Sequence, residues 1–204
     1  AGLGEAGEGL AETRGRRDPV PLIRLGGTLI CAGDCVSVHG SEEQPFIAQV
    51  LSADTATQLL TVRWLYRADE VAAQAGPKLQ AYRRKHLPPS DPAFAHPAWC
   101  REHEVFFSFH EDAGVHAQSV IGPVAVFFTD ASPSNPVQEM RRGEFFCRCV
   151  WDPRDRFIYG VWERDFKPQN QRILEEELAC TPSPYSLAPR VAPPPPDPDA
   201  RAKR

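Results

Sequence analysis

The chain has 204 residues, 42% of them apolar and 25% charged, the make-up of one ordinary globular domain with tails. A net charge of −4 gives the chain as a whole no strong pull toward DNA or anionic lipid. No apolar run reaches the roughly 18 residues that a membrane-spanning helix needs.

Residues 1–19 are rich in Gly, Ala, Glu and Arg and poor in large apolar side chains, so a disordered lead-in is expected there. The first residue is Ala rather than Met, and the sequence is expected to be a fragment. A domain is expected over 20–170. GGTLICAGDCVSVHG (26–40) has apolar residues around a Gly-Asp turn. PFIAQVLSA (45–53) and QLLTVRWLY (58–66) are rich in β-formers and flank the polar DTAT. A long insertion follows, from about Ala72 to Arg101, expected as a loop with a basic, helical part at Lys78 to His86. Its prolines 88, 89, 92 and 97 break any longer helix. EVFFSFHED (104–112), SVIGPVAVFF (119–128), EFFCRCVWD (144–152) and RFIYGVW (156–162) complete the strands. Strands of five to nine residues with short turns predict a mainly β barrel or sandwich. QRILEEELA predicts a short helix within 171–180, with Ile173, Leu174 and Leu178 on one stripe. From Thr181 onward eight of 24 residues are proline, which predicts an extended, disordered tail.

Catalytic signatures are missing. The sequence has no G-x-S-x-G elbow, phosphate-binding loop or H-E-x-x-H helix. His96, Cys100 and His103 have a plausible metal-ligand spacing, but no Cys-x-x-Cys knuckle supports them, and no metal is expected. Cys31, Cys35, Cys100, Cys147, Cys149 and Cys180 are too sparse for a secreted disulfide framework and are expected to be reduced, mostly buried thiols of an intracellular protein.

The aromatic residues suggest binding. Trp64 and Tyr66 are two apart in a predicted strand and so share a face. Phe46 starts the preceding strand, and a hairpin would bring the three rings to one end of the sheet. Asp69 and Glu70 follow at once, and His110 and Asp112 sit just past FFSF. Ring faces attract a quaternary ammonium, which has no N–H to donate, and carboxylates add Coulombic attraction. The alternative is that the three rings are core residues, and spacing alone favours it.

The order of segments resembles that of a bromo-adjacent homology (BAH) domain. The family's Gly-Asp-x-Val strand matches AGDCVSV (32–38), and its Pro-aromatic-[Ile/Val]-Ala strand matches PFIAQV (45–50). Its Trp-x-Tyr-Arg-Pro-Glu-[Asp/Glu] element matches WLYRADE (64–70), and its Asn-Glu-[Val/Leu]-Phe-x-Ser-x-His-x-Asp element matches HEVFFSFHED (103–112). VIGPVAV (120–126) and FFCRCVWD (145–152) complete the order. The resemblance implies a distorted β-barrel-like fold with short helices and no catalysis or cofactor. It also implies a nuclear, chromatin-binding module whose partners are a histone tail or nucleosome and other chromatin proteins, with no membrane or small-molecule ligand. In the methyl-lysine-reading branch of the family the cage falls on Phe46, Trp64 and Tyr66, and the peptide groove on Asp69, Glu70, His110 and Asp112, with histone H3 the expected tail. Three residues depart from the pattern: Phe46 for Tyr, Ala68 for Pro and His103 for Asn. Ala68 is expected to loosen the turn that carries Asp69 and Glu70. The rival expectations are a scaffold that binds the nucleosome surface or partner proteins, with weak DNA contact through KLQAYRRK, Arg141 and Arg142, or the non-catalytic part of a larger enzyme such as a DNA methyltransferase.

Overall fold

A computed structural model of the chain describes residues 21–25, 27–40, 44–128, 140–161, 170 and 172–176. The two expected tails, 1–19 and 181–204, and Cys180 lie outside the described residues.

The described residues include the strands and helices β1 (Pro21–Leu25), β2 (Thr28–Cys31), β3 (Cys35–Val38), β4 (Phe46–Asp54), β5 (Leu59–Arg67), α1 (Ala68–His86), α2 (Pro92–Ala95), α3 (Pro97–His103), β6 (Glu104–His116), β7 (Val120–Phe128), β8 (Glu144–Asp152) and β9 (Phe157–Gly160). β1 and β2 form a separate hairpin. The larger sheet runs β6-β5-β4-β3-β7-β8-β9, and β6 also pairs with β8 in parallel, which closes six strands into a barrel. β9 extends β8 past the end of β7. The expectation of a mainly β, barrel-like fold holds.

Sequence alternation explains the layers. On β4 and β5 one face carries Ala48, Val50, Leu60 and Val62, which join Ile23 and Ile30 of the β1–β2 hairpin in one core cluster. The other face carries Ile47 and Leu65, which join Val105, Phe107, Phe145 and Cys147 in a second. β8 is buried on both faces, so EFFCRCVW reads as a continuous apolar run rather than an alternating one. Gly33, at φ +92°, supplies the backbone for the expected Gly-Asp turn, where Asp34 Oδ2 accepts the Cys31 N–H at 2.7 Å.

The insertion differs from the expected loop: α1 runs on to His86, so it includes the helical part expected at Lys78 to His86, and α2 and α3 follow after a non-helical stretch at 87–91. α1 is kinked at Ala75, and Pro77 sits just past the kink, within the first turn of the second half. Val71, Ala75, Leu79 and Tyr82 form its inner stripe against Phe106, Cys149, Trp151 and Ile158. Pro92 and Pro97 are the first residues of α2 and α3, where a missing N–H costs nothing. The prolines therefore start helices as well as stopping them.

A buried ion network holds the insertion to the barrel. Arg148, in the middle of β8, donates from two nitrogens to Asp91 at 2.7 and 3.0 Å and from Nε to Glu104 at 2.9 Å. Arg83 of α1 pairs with the other oxygen of Glu104. Burial alone would lower the pKa of the Arg148 guanidinium, but Glu104 and Asp91 outweigh it and raise it. Of the helix expected within 171–180, residues 172–176 are described and helical, with Leu174 buried in the second cluster. Among the described residues no helix is long and apolar enough to cross a membrane.

Candidate functional site

The β4–β5 hairpin sets the three aromatic rings. Ala48 pairs with Trp64 and Ile47 with Leu65, so Phe46 stands abreast of Tyr66 on the face that carries Trp64. Phe46 meets Trp64 edge-on, with ring centroids 6.0 Å apart and planes at 75°. Both are half-buried, with their inner sides on the first core cluster. Tyr66 is also half-buried and takes its ring contact from His110, nearly parallel at 6.5 Å. Trp64 and Tyr66 lie about 7 Å apart along the strand, as i and i+2 positions do. The three rings therefore form an open row with accessible surface.

A bulge in β6 places His110. Arg63 pairs with Glu111 and Leu65 with Phe107, so three residues, 108–110, oppose the single Trp64. Ser108, fully buried, fills this bulge: its hydroxyl donates to the Trp64 carbonyl at 2.9 Å and accepts the His110 N–H at 3.2 Å. The exposed His110 then reaches Tyr66, with Nδ1 2.9 Å from the phenol oxygen. Burial, aided by the charge of Glu70, pushes the Tyr66 pKa above its ordinary value, so the hydroxyl stays protonated and able to donate.

Asp69 and Glu70 sit in the first turn of α1, not on a loosened turn. Ala68 is the first helical residue, buried against the third cluster, where proline and alanine serve equally. Glu70 is fixed because its carboxylate accepts the Arg67 N–H at 2.6 Å, while Asp69 accepts the Glu70 N–H at 3.0 Å. Asp112 stands further off: it pairs opposite Val62, and its Oδ1 accepts the Gly114 N–H at 2.8 Å. The structure thus gathers Phe46 with Trp64 and Tyr66 with His110 and Glu70, and leaves Asp112 on the rim.

Three contributing residues were not singled out from sequence. Ser108 holds the bulge. Arg67 donates from Nε to the Pro45 carbonyl at 3.1 Å and stacks over Phe145 at 5.0 Å, which fixes the start of β4 beside the end of β5. Gly40 backs onto the Phe46 ring, where a β-carbon would fall 2.6 Å from a ring carbon. A lone polar residue inside the apolar run FFSF was the one available signal for Ser108.

The possible metal ligands do not converge. Cys100 is buried beside Glu104 and Arg148, and burial pushes its thiol up to about 12. His103 Nδ1 lies 2.9 Å from the Glu144 carbonyl, and His96 is exposed. Among the described residues no three His, Cys, Asp or Glu side chains gather as a metal-holding group.

A scan against protein-family models finds no match, and neither does a search of curated proteins. Among solved structures, the crystal structure of the yeast Rsc2 BAH domain superposes with a TM-score of 0.43 and 15% sequence identity. The match covers 71% of this chain and 55% of the yeast chain.

Proposed function

We propose that this chain is a BAH-type, nuclear chromatin-binding module that holds a trimethylated lysine of a histone tail against Phe46, Trp64 and Tyr66, without catalysis. The observation that carries the reading is the row of three half-exposed rings on one face of β4–β5, with Glu70 close enough to Tyr66 to perturb its phenol. The BAH-like order of sequence motifs supports it. Each ring face contributes about 0.5–2 kcal/mol to a desolvated quaternary ammonium. Glu70 supplies charge attraction, and the His110 imidazole, on the rim, is available to the peptide main chain. A single tail bound in this way reaches about micromolar affinity (~8 kcal/mol), and linkage to further chromatin modules raises occupancy.

A second reading rests on the packing of Phe46 and Trp64 against the first core cluster. In that case the rings are structural, and the domain is a scaffold for nucleosome or protein partners. One titration separates the two. Trimethyl-lysine H3 peptides should bind the wild type, unmodified peptides should bind at least ten-fold more weakly, and Trp64→Ala should lose the distinction while keeping a cooperative melt. Undiminished affinity in Trp64→Ala overturns the cage.

A further inference from the structure

We propose that the exposed flank of α1 and the β8–β9 turn form a second binding surface, for the phosphate backbone of duplex DNA. Residues 71–90 contain no Asp or Glu. Lys78 and Lys85 are seven residues apart, so they lie within about 20° of one another around the helix and about 10.5 Å apart along it. Both are exposed, and both come after the kink, on one continuous helical stretch. The Lys78 ammonium donates to the Arg156 carbonyl at 2.9 Å, which pins the β8–β9 turn against this flank. That turn adds the exposed side chains of Arg154 and Arg156.

Its acids offset these charges only in part. Half-buried Asp152, whose Oδ1 accepts the Arg154 and Asp155 amides at 2.9 and 3.3 Å, and exposed Asp155 cancel two of the four positive charges of Lys78, Lys85, Arg154 and Arg156. Among the described residues, none of Lys78, Lys85, Arg154 and Arg156 is in an ion pair. The chain's net charge of −4 hides this local excess, because α1 has its own acids, Asp69 and Glu70, at the opposite end beside the rings.

The shape of the surface selects among anions. α1 exposes no large apolar side chain, and Phe157, exposed just after the turn, packs on Tyr159 on the face of β9 opposite Ile158, the residue that packs with α1. Protein partners are usually anchored by buried apolar or aromatic side chains. Lysines and arginines gathered on adjoining elements without such an anchor suit a phosphate backbone, which binds by charge and counterion release.

The test is fluorescence anisotropy with a labelled mixed-sequence duplex of about 20 base pairs, at salt from about 50 to 200 mM. The wild type should bind with a log–log salt slope of about −3, for three to four neutralised phosphates. Lys78→Gln combined with Lys85→Gln should weaken binding by at least ten-fold and reduce the slope by about 2. Arg141→Gln combined with Arg142→Gln, at the other end of β8 from this turn, should change nothing, as should Trp64→Ala, which keeps this site distinct from the rings. Lack of wild-type binding, a flat salt response or an unaffected lysine variant overturns the proposal. Displacement by polyglutamate as effective as by unlabelled duplex assigns the surface to acidic proteins and also overturns it.

Discussion

Ser108 has no solvent exposure, yet its hydroxyl is bonded on both sides, to the Trp64 carbonyl and the His110 amide. It joins the two strands where their ladder is interrupted, between two residues of the proposed site. Ser108→Ala leaves a buried carbonyl and an amide without that partner, at a cost of about 1–3 kcal/mol. Urea unfolding should show this loss with an unchanged m-value. The same variant frees His110 from Tyr66, so affinity for trimethyl-lysine peptide should fall although all three rings remain. Unchanged affinity would show that the bulge is structural only. Spacing and motif order made the rings legible in the sequence, because a two-residue period fixes the face of Trp64 and Tyr66. The bulge was not legible: nothing in FFSFHED says that three residues oppose one, since that depends on the partner strand's register.

At the scale of elements, the helical insertion depends on charges in the protein interior. Asp91 caps α2 by accepting the Ala93 N–H at 2.8 Å and also receives the bidentate Arg148. Removing one partner of a fully buried pair leaves the other uncompensated, at about 3–5 kcal/mol. Asp91→Ala should therefore destabilise the protein by that amount in denaturant unfolding, well beyond the ~1 kcal/mol of a lost cap. Arg172→Ala, which breaks the exposed Arg172–Glu176 pair at 3.6 Å, should change stability by less than about 0.5 kcal/mol. Sequence reasoning took the prolines of this region as breakers and expected a loop. The residues before Pro92 and Pro97, Asp91 and His96, are N-caps, and Asp91 followed by PAFA is a helix start. What sequence could not give was the partner, since Arg148 lies 57 residues away in a run that otherwise reads as apolar core.

At the scale of the whole molecule, β8 makes the barrel a closed ring. It pairs with β7 and β9 along one edge and β6 along the other, so its residues open only when the ring opens. Cys147 and Cys149 report on this. Burial pushes the Cys149 thiol up to about 12 and the Cys147 thiol well above its ordinary value, and Cys100, on the buried side of α3, also reaches about 12. Thiolate is the reactive form. At pH 8.5 a thiol with a pKa near 12 is ionised in roughly one molecule in three thousand, whereas an unfolded cysteine is about half ionised. Ionisation alone thus slows alkylation about a thousand-fold in the native state, before access is counted. Iodoacetamide labelling followed by mass spectrometry should find these three cysteines protected in buffer and labelled together as denaturant unfolds the chain. Labelling of Cys100 ahead of Cys147 and Cys149 would instead show that the helical insertion opens by itself while the ring stays shut, and the ion network of Arg148 would then be breaking before the strands part.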